Sequence, residues 1–184
     1  MDETSSQLGS RLKLIIVLGF PNSGKTTLIN RLYKKLAGQF DWDVEGPERW
    51  RSAICPIGSR KTKIYFGLDG DDEGCVLSNI RNIATGSYDI AIIPLSRSVL
   101  HYPSMSIPYV WQKWIDRSIE SLAKGNPAVL FPDHERYYVH TLIPQRCSAP
   151  DYSGRIATMP SPIPQCDVMS NLVLDQIKKI LPTI

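Results

Sequence analysis

The chain has 184 residues, 21 Lys+Arg against 18 Asp+Glu for a formal net charge of +3, and is 42% apolar and 21% charged. These proportions exclude disorder over the bulk of the chain, because apolar content is high enough to build a core and net charge is too low to oppose one. A charge of +3 is also too small to argue for nucleic acid or an anionic membrane surface as a partner.

Residues 1–10, MDETSSQLGS, read as a flexible tail. They are acidic and polar, without the basic stretch and apolar stretch of a secretory signal. Residues 11–184 are expected to form a single domain. Leu12–Leu18 is an almost continuous apolar run, which suits a strand buried on both faces. It is too short to cross a bilayer. A glycine-bearing loop, Gly19–Lys25, follows. Thr26–Leu36 reads as a helix with Leu28, Ile29, Leu32 and Leu36 on one face and Lys34 and Lys35 near its end.

Arg51–Ile57 and Lys63–Leu68 are strand-like, and Gly58-Ser59-Arg60-Lys61 between them is a hairpin turn candidate. The acidic loop Asp69–Gly74 leads into a helix carried by Val76, Leu77, Ile80, Ile83 and Ala84 and stopped by Gly86. Tyr88–Pro94 is another buried-strand run. Leu95–Pro108 is a polar loop, and Tyr109–Lys124 a helix with Val110, Trp111, Trp114, Ile115, Ile119 and Leu122 inward. Gly125-Asn126-Pro127 ends it. Ala128–Phe131 is expected as a short strand and Tyr137–Ile143 as another. Residues 144–164 hold five prolines and read as a long loop. A last helix is expected from Asp167 to Leu181, carried by Met169, Leu172, Val173, Ile177 and Ile180. Strand and helix alternate, so the expected class is α/β with a largely parallel sheet, to which the hairpin adds an antiparallel strand.

Gly19-Phe20-Pro21-Asn22-Ser23-Gly24-Lys25-Thr26 fits G-x-x-x-x-G-K-[ST] at every required position. It follows a buried-strand pattern and opens a helix, the context that motif demands. Glycines let successive backbone N–H groups curl inward onto phosphate oxygens, and the positive end of the following helix adds to that field. The segment resembles the P-loop NTPase superfamily over residues 12–36. That resemblance implies a three-layer α/β fold and a bound nucleoside triphosphate, ATP or another, with Mg²⁺. Gly19, Asn22, Ser23, Gly24, Lys25, Thr26 and Thr27 would form the nucleotide site, Lys25 reaching the β- and γ-phosphates and Thr26 ligating the metal.

A P-loop protein also needs a carboxylate near its metal. Ile64–Leu68 followed by Asp69 reads as an apolar strand ending in that acid, so Asp69 is the first choice to hold Mg²⁺. Asp71, Asp72 and Glu73 compete with it, or would orient an attacking water; the alternative is a solvated acidic turn that caps the next helix. Asp89 sits before its strand rather than after it, on the wrong end for a phosphate site. Arg97, just beyond Tyr88–Pro94, is in place to meet a γ-phosphate or a substrate anion. The acidic loop imitates the start of a calcium loop but has Ile80 where a bidentate Glu is required, so it is not one. The three histidines show no metal spacing. The basic run Arg60–Lys63 is a solvated turn or an acceptor-anion site.

No Asn-Lys-x-Asp follows the P-loop, so adenine fits better than guanine, although Asp71-Asp72-Glu73-Gly74 has the letters of a GTPase switch. Leu68–Asp71, Asn79–Arg81 and Pro94–Ser98 resemble, weakly and in order, segments of adenylylsulfate kinases. The expectation is an ATP- and Mg²⁺-dependent triphosphatase or ATP-driven switch. Its alternatives are a small-molecule kinase, and an accessory nucleotide-binding module that acts through a protein partner. The four cysteines form no Cys-x-x-Cys pair, and reduced thiols in the cytoplasm are expected.

Overall fold

The structure, a computed structural model, describes residues 11–19, 24–37, 50–70, 72–96, 110–140 and 163–180. The elements run β1 (Leu12–Gly19), α1 (Lys25–Ala37), β2 (Trp50–Ile57), β3 (Arg60–Gly67), α2 (Glu73–Gly86), β4 (Ile90–Ser96), α3 (Val110–Gly125), β5 (His134–His140) and α4 (Ile163–Ile180). The expected tail 1–10, most of the Pro-rich loop and the end of the last predicted helix lie outside the described residues.

The strands form one sheet in the order β2-β3-β4-β1-β5. β1 pairs in parallel with β4 and β5, and β3 in parallel with β4. β2 pairs antiparallel with β3, so the hairpin strand expected from the sequence is one edge of the sheet. Alternation along the central strands decides which helices they meet. Leu12, Leu14, Ile16 and Leu18 of β1 share a cluster with Ala91, Ile93 and Leu95 of β4, Val76, Ile80 and Ile83 of α2, and Ile115 and Leu122 of α3. Ile15 and Val17 face the other way, with Ile90 and Ile92, Leu28, Ile29 and Leu32 of α1, and Val173 and Ile177 of α4. One helix pair thus covers each face, and β1, covered on both, is an apolar run because it has no solvent face.

Several boundaries differ from the sequence reading, each for a local reason. The hairpin is tighter: pairing continues to Ile57↔Arg60, leaving two turn residues, and Gly58 at φ 62 supplies the left-handed backbone that so short a turn needs. Gly86 does not end α2 by a left-handed turn; Ser87 takes that conformation at φ 51. Gly86 is required instead because the Tyr88 ring lies on its Cα, 2.0 Å from where a Cβ would stand.

Ala128–Phe131 is not a strand. Asn126 turns the chain there, its carbonyl accepting from Val129 N at 2.9 Å and its side chain from Ala128 N at 3.3 Å, which occupies donors a strand would use. β5 therefore starts at His134, opposite Leu12. α4 begins at Ile163, not Asp167, because Pro164 is tolerated in a first helical turn, where its missing N–H has no partner to lose. Leu172, expected inward, is 54% exposed; the buried stripe runs through Val173 and Ile177, with Leu174 and Ile180 flanking it.

Candidate functional site

β1 and β4 are parallel neighbours that end level with each other, Gly19 opposite Ser96. The helices that follow them lie on opposite faces of the sheet, α1 with α4 and α3 with α2. Crevices beyond the carboxyl ends of strands form where neighbouring connections diverge in this way.

At that point Gly24 has φ 85, a conformation L side chains resist. Its carbonyl accepts from Leu28 N at 2.8 Å and closes the first turn of α1. Lys25 opens α1 and is only 5% exposed. Lysines are almost never that deep without a partner for the ammonium. Thr26 is the next residue, and its hydroxyl donates to the Leu68 carbonyl at 3.1 Å. Leu68 and Asp69 immediately follow β3, so the motif's threonine reaches the residue before the acid nominated for the metal. Gly19 is buried and Thr27 half-buried. Asn22, Ser23, Asp71 and Arg97 lie outside the described residues.

Three elements hold the short segment after β3. Thr26 of α1 reaches Leu68. Asn79 of α2 donates from Nδ2 to the Asp69 carbonyl at 2.7 Å. Gly70 is buried against β4, where a Cβ would come within 1.9 Å of the Pro94 carbonyl. Asp72 then caps α2, accepting from Cys75 N at 2.8 Å from an extended backbone. The capping alternative weighed for the acidic loop thus describes Asp72, while Asp69 is held through its carbonyl by Asn79. Burial pushes the Cys75 thiol up to about 11, helped by the Asp69 and Asp72 carboxylates beside it. That thiol stays protonated, and its two acidic neighbours show how much negative charge collects at the start of α2.

The remaining candidates are at the other end of the sheet. Asp89 precedes β4 and accepts from Arg60 Nη2 at 2.5 Å and Lys63 N at 2.8 Å. Lys63 Nζ donates to the Gly86 carbonyl at 2.5 Å and lies over the Tyr88 ring. Asp89 and the basic run 60–63 therefore fasten the hairpin to the amino end of β4. Among the described residues no three or more His, Cys, Asp or Glu gather as a metal cage. His134 belongs to a structural chain: its Nδ1 faces the Pro132 carbonyl at 3.1 Å, and Arg136 Nε donates to its Nε2 at 3.0 Å.

The sequence reading passed over Tyr65 and gave Asn79 no part in holding the acid. Tyr65 is fully buried and its hydroxyl donates to Asn79 Oδ1 at 2.8 Å. The available signal was a polar Asn79 inside the apolar stripe of α2, three residues after Val76 and next to Ile80.

No helix among the described residues is long and apolar enough to cross a membrane. No protein-family model, no curated protein and no solved structure matches the chain.

Proposed function

We propose that this chain binds a nucleoside triphosphate, ATP with Mg²⁺, beyond the carboxyl end of β1, and that it is a P-loop triphosphatase or ATP-driven switch. The observation that carries the reading is the Thr26 hydroxyl on the Leu68 carbonyl, which brings the G-x-x-x-x-G-K-T segment against the segment bearing Asp69. Gly24 with its positive φ and the buried Lys25 support it. The set of groups suits a phosphate-bound Mg²⁺, which takes one or two protein oxygens and fills its remaining positions from phosphate and water.

In this account Lys25 neutralises charge on the β- and γ-phosphates, and N–H groups of the first turn of α1 donate to phosphate oxygens. The Thr26 hydroxyl, turned from Leu68, and the Asp69 carboxylate would hold the metal. The chemistry such a metal would supply is positive charge that offsets the negative charge of the phosphates. A cytoplasmic setting goes with this reading.

The reaction is tested by following γ-labelled phosphate of ATP on the purified chain with Mg²⁺. Release to water supports the triphosphatase. Nucleotide retained uncleaved favours a kinase without its acceptor or a module that needs its partner. Asp69→Asn should raise the Mg²⁺ requirement for nucleotide binding, and Asp89→Asn should leave it unchanged. The reverse ranking would remove Asp69 from the metal role.

A further inference from the structure

The Asp69 carbonyl is tied to a buried polar chain inside an otherwise apolar packing face. Asn79 is 4% exposed and Tyr65 fully buried. A backbone carbonyl can only accept, so the amide nitrogen of Asn79 must face Asp69, and its Oδ1 is left for the Tyr65 hydroxyl. Burial raises the Tyr65 hydroxyl well above its usual range, which keeps it a donor. The Tyr65 ring stacks on Trp50 at 5.5 Å and meets Tyr88 edge-on at 5.3 Å. Gly67 makes room for the chain: a Cβ there would stand 2.6 Å from Asn79 Oδ1. Every group in the chain therefore has one orientation.

Its end point is the residue nominated for the metal. With the Asp69 carbonyl held by Asn79 and Gly70 packed against the Pro94 carbonyl, two successive residues are fixed, and the Asp69 carboxylate lies beside the Cys75 thiol. Outer partners that orient a ligand in this way commonly set metal affinity.

We propose that Tyr65 and Asn79 are positioning residues, which aim the Asp69 carboxylate at the Mg²⁺ of a bound nucleotide through the Asp69 backbone. The proposal rests on the nucleotide-site reading above. A buried pair that only satisfied the Asp69 carbonyl would support folding and leave metal dependence alone.

The test uses the full chain and a fluorescent ATP analogue, titrated with Mg²⁺ and separately in EDTA, for the unaltered protein, Tyr65→Phe, Asn79→Ala and Asp69→Asn. Amide exchange across Leu68–Gly70 is measured on the same samples. Tyr65→Phe and Asn79→Ala should leave metal-free affinity unchanged and raise the Mg²⁺ midpoint about tenfold, as loss of an outer partner does at metal sites. Faster exchange across Leu68–Gly70 with an unmoved midpoint would overturn the positioning role and leave the nucleotide site standing. No nucleotide binding by the unaltered chain, or an Asp69→Asn midpoint equal to the unaltered one, would overturn the site reading and the positioning role with it. If Asn79→Ala does not fold, Tyr65→Phe decides, because its ring can keep its packing on Trp50.

Discussion

Lys25 and Gly70 show how single side chains set this site, one by being present and the other by being absent. Lys25 is only 5% exposed, and so deep a lysine is costly to bury unless its ammonium is paired. Gly70 has the opposite constraint. Its Cα lies so close to the Pro94 carbonyl that a methyl group would sit 1.9 Å from the oxygen. Gly70→Ala should therefore force the segment and β4 apart and lower stability by about 1–3 kcal/mol, the usual cost of overpacking. Gly125→Ala, where the same methyl meets nothing within 4 Å, is the control for urea denaturation. Equal stabilities for the two variants would contradict the close approach. Lys25, Thr26 and Asp69 could be nominated from the sequence because G-x-x-x-x-G-K-T is a local motif and an acid after an apolar run is a local pattern. Tyr65 and Asn79 could not, because their contact is made only when α2 packs on β3.

Elements are joined at the amino end of the sheet by polar chains of their own. Arg136 of β5 donates from Nη2 to Asp116 of α3 at 2.6 Å and from Nε to His134. The Pro132 carbonyl requires a proton on His134 Nδ1, so Nε2 can accept from Arg136 only in the neutral ring. Burial holds the imidazole below its usual pKa; the Pro132 carbonyl pulls against it, the Arg136 guanidinium lowers it further, and Asp133 and Asp116 oppose more weakly. The unfolded chain then takes up this proton first, near pH 6.5. The contribution to stability is fully present above that pH and is lost as pH falls toward the depressed folded value. Urea unfolding at pH 7.5 and 5.5 should show a larger loss for the unaltered chain than for His134→Gln; equal losses would contradict the neutral ring. The start of β5 was misplaced in the sequence reading for a related reason. Residues 128–131 look apolar, but Asn126 has already committed their backbone to a turn, and the strand register is set by the partner Leu12 rather than by hydrophobicity.

At the scale of the molecule the two ends of the sheet differ in kind. Ion pairs Lys13–Glu135, Arg60–Asp89 and Arg136–Asp116 close one end. At the other, α1 follows β1 and its Thr26 reaches the segment after β3. The layering was legible because strands buried on both faces read as unbroken apolar runs, and α1 and α2 show one-sided stripes. The strand order was not, since nothing local says that β1 lies between β4 and β5. That order makes the divergence beyond β1 and β4, and with it the place proposed for the triphosphate. The most direct test of the account is equilibrium binding of ATP with Mg²⁺ to the unaltered chain and to Lys25→Ala, with thermal melting as the check on folding. The account predicts saturable binding by the unaltered chain, lost in a Lys25→Ala variant that still melts cooperatively. Equal affinity in the two folded proteins would contradict it.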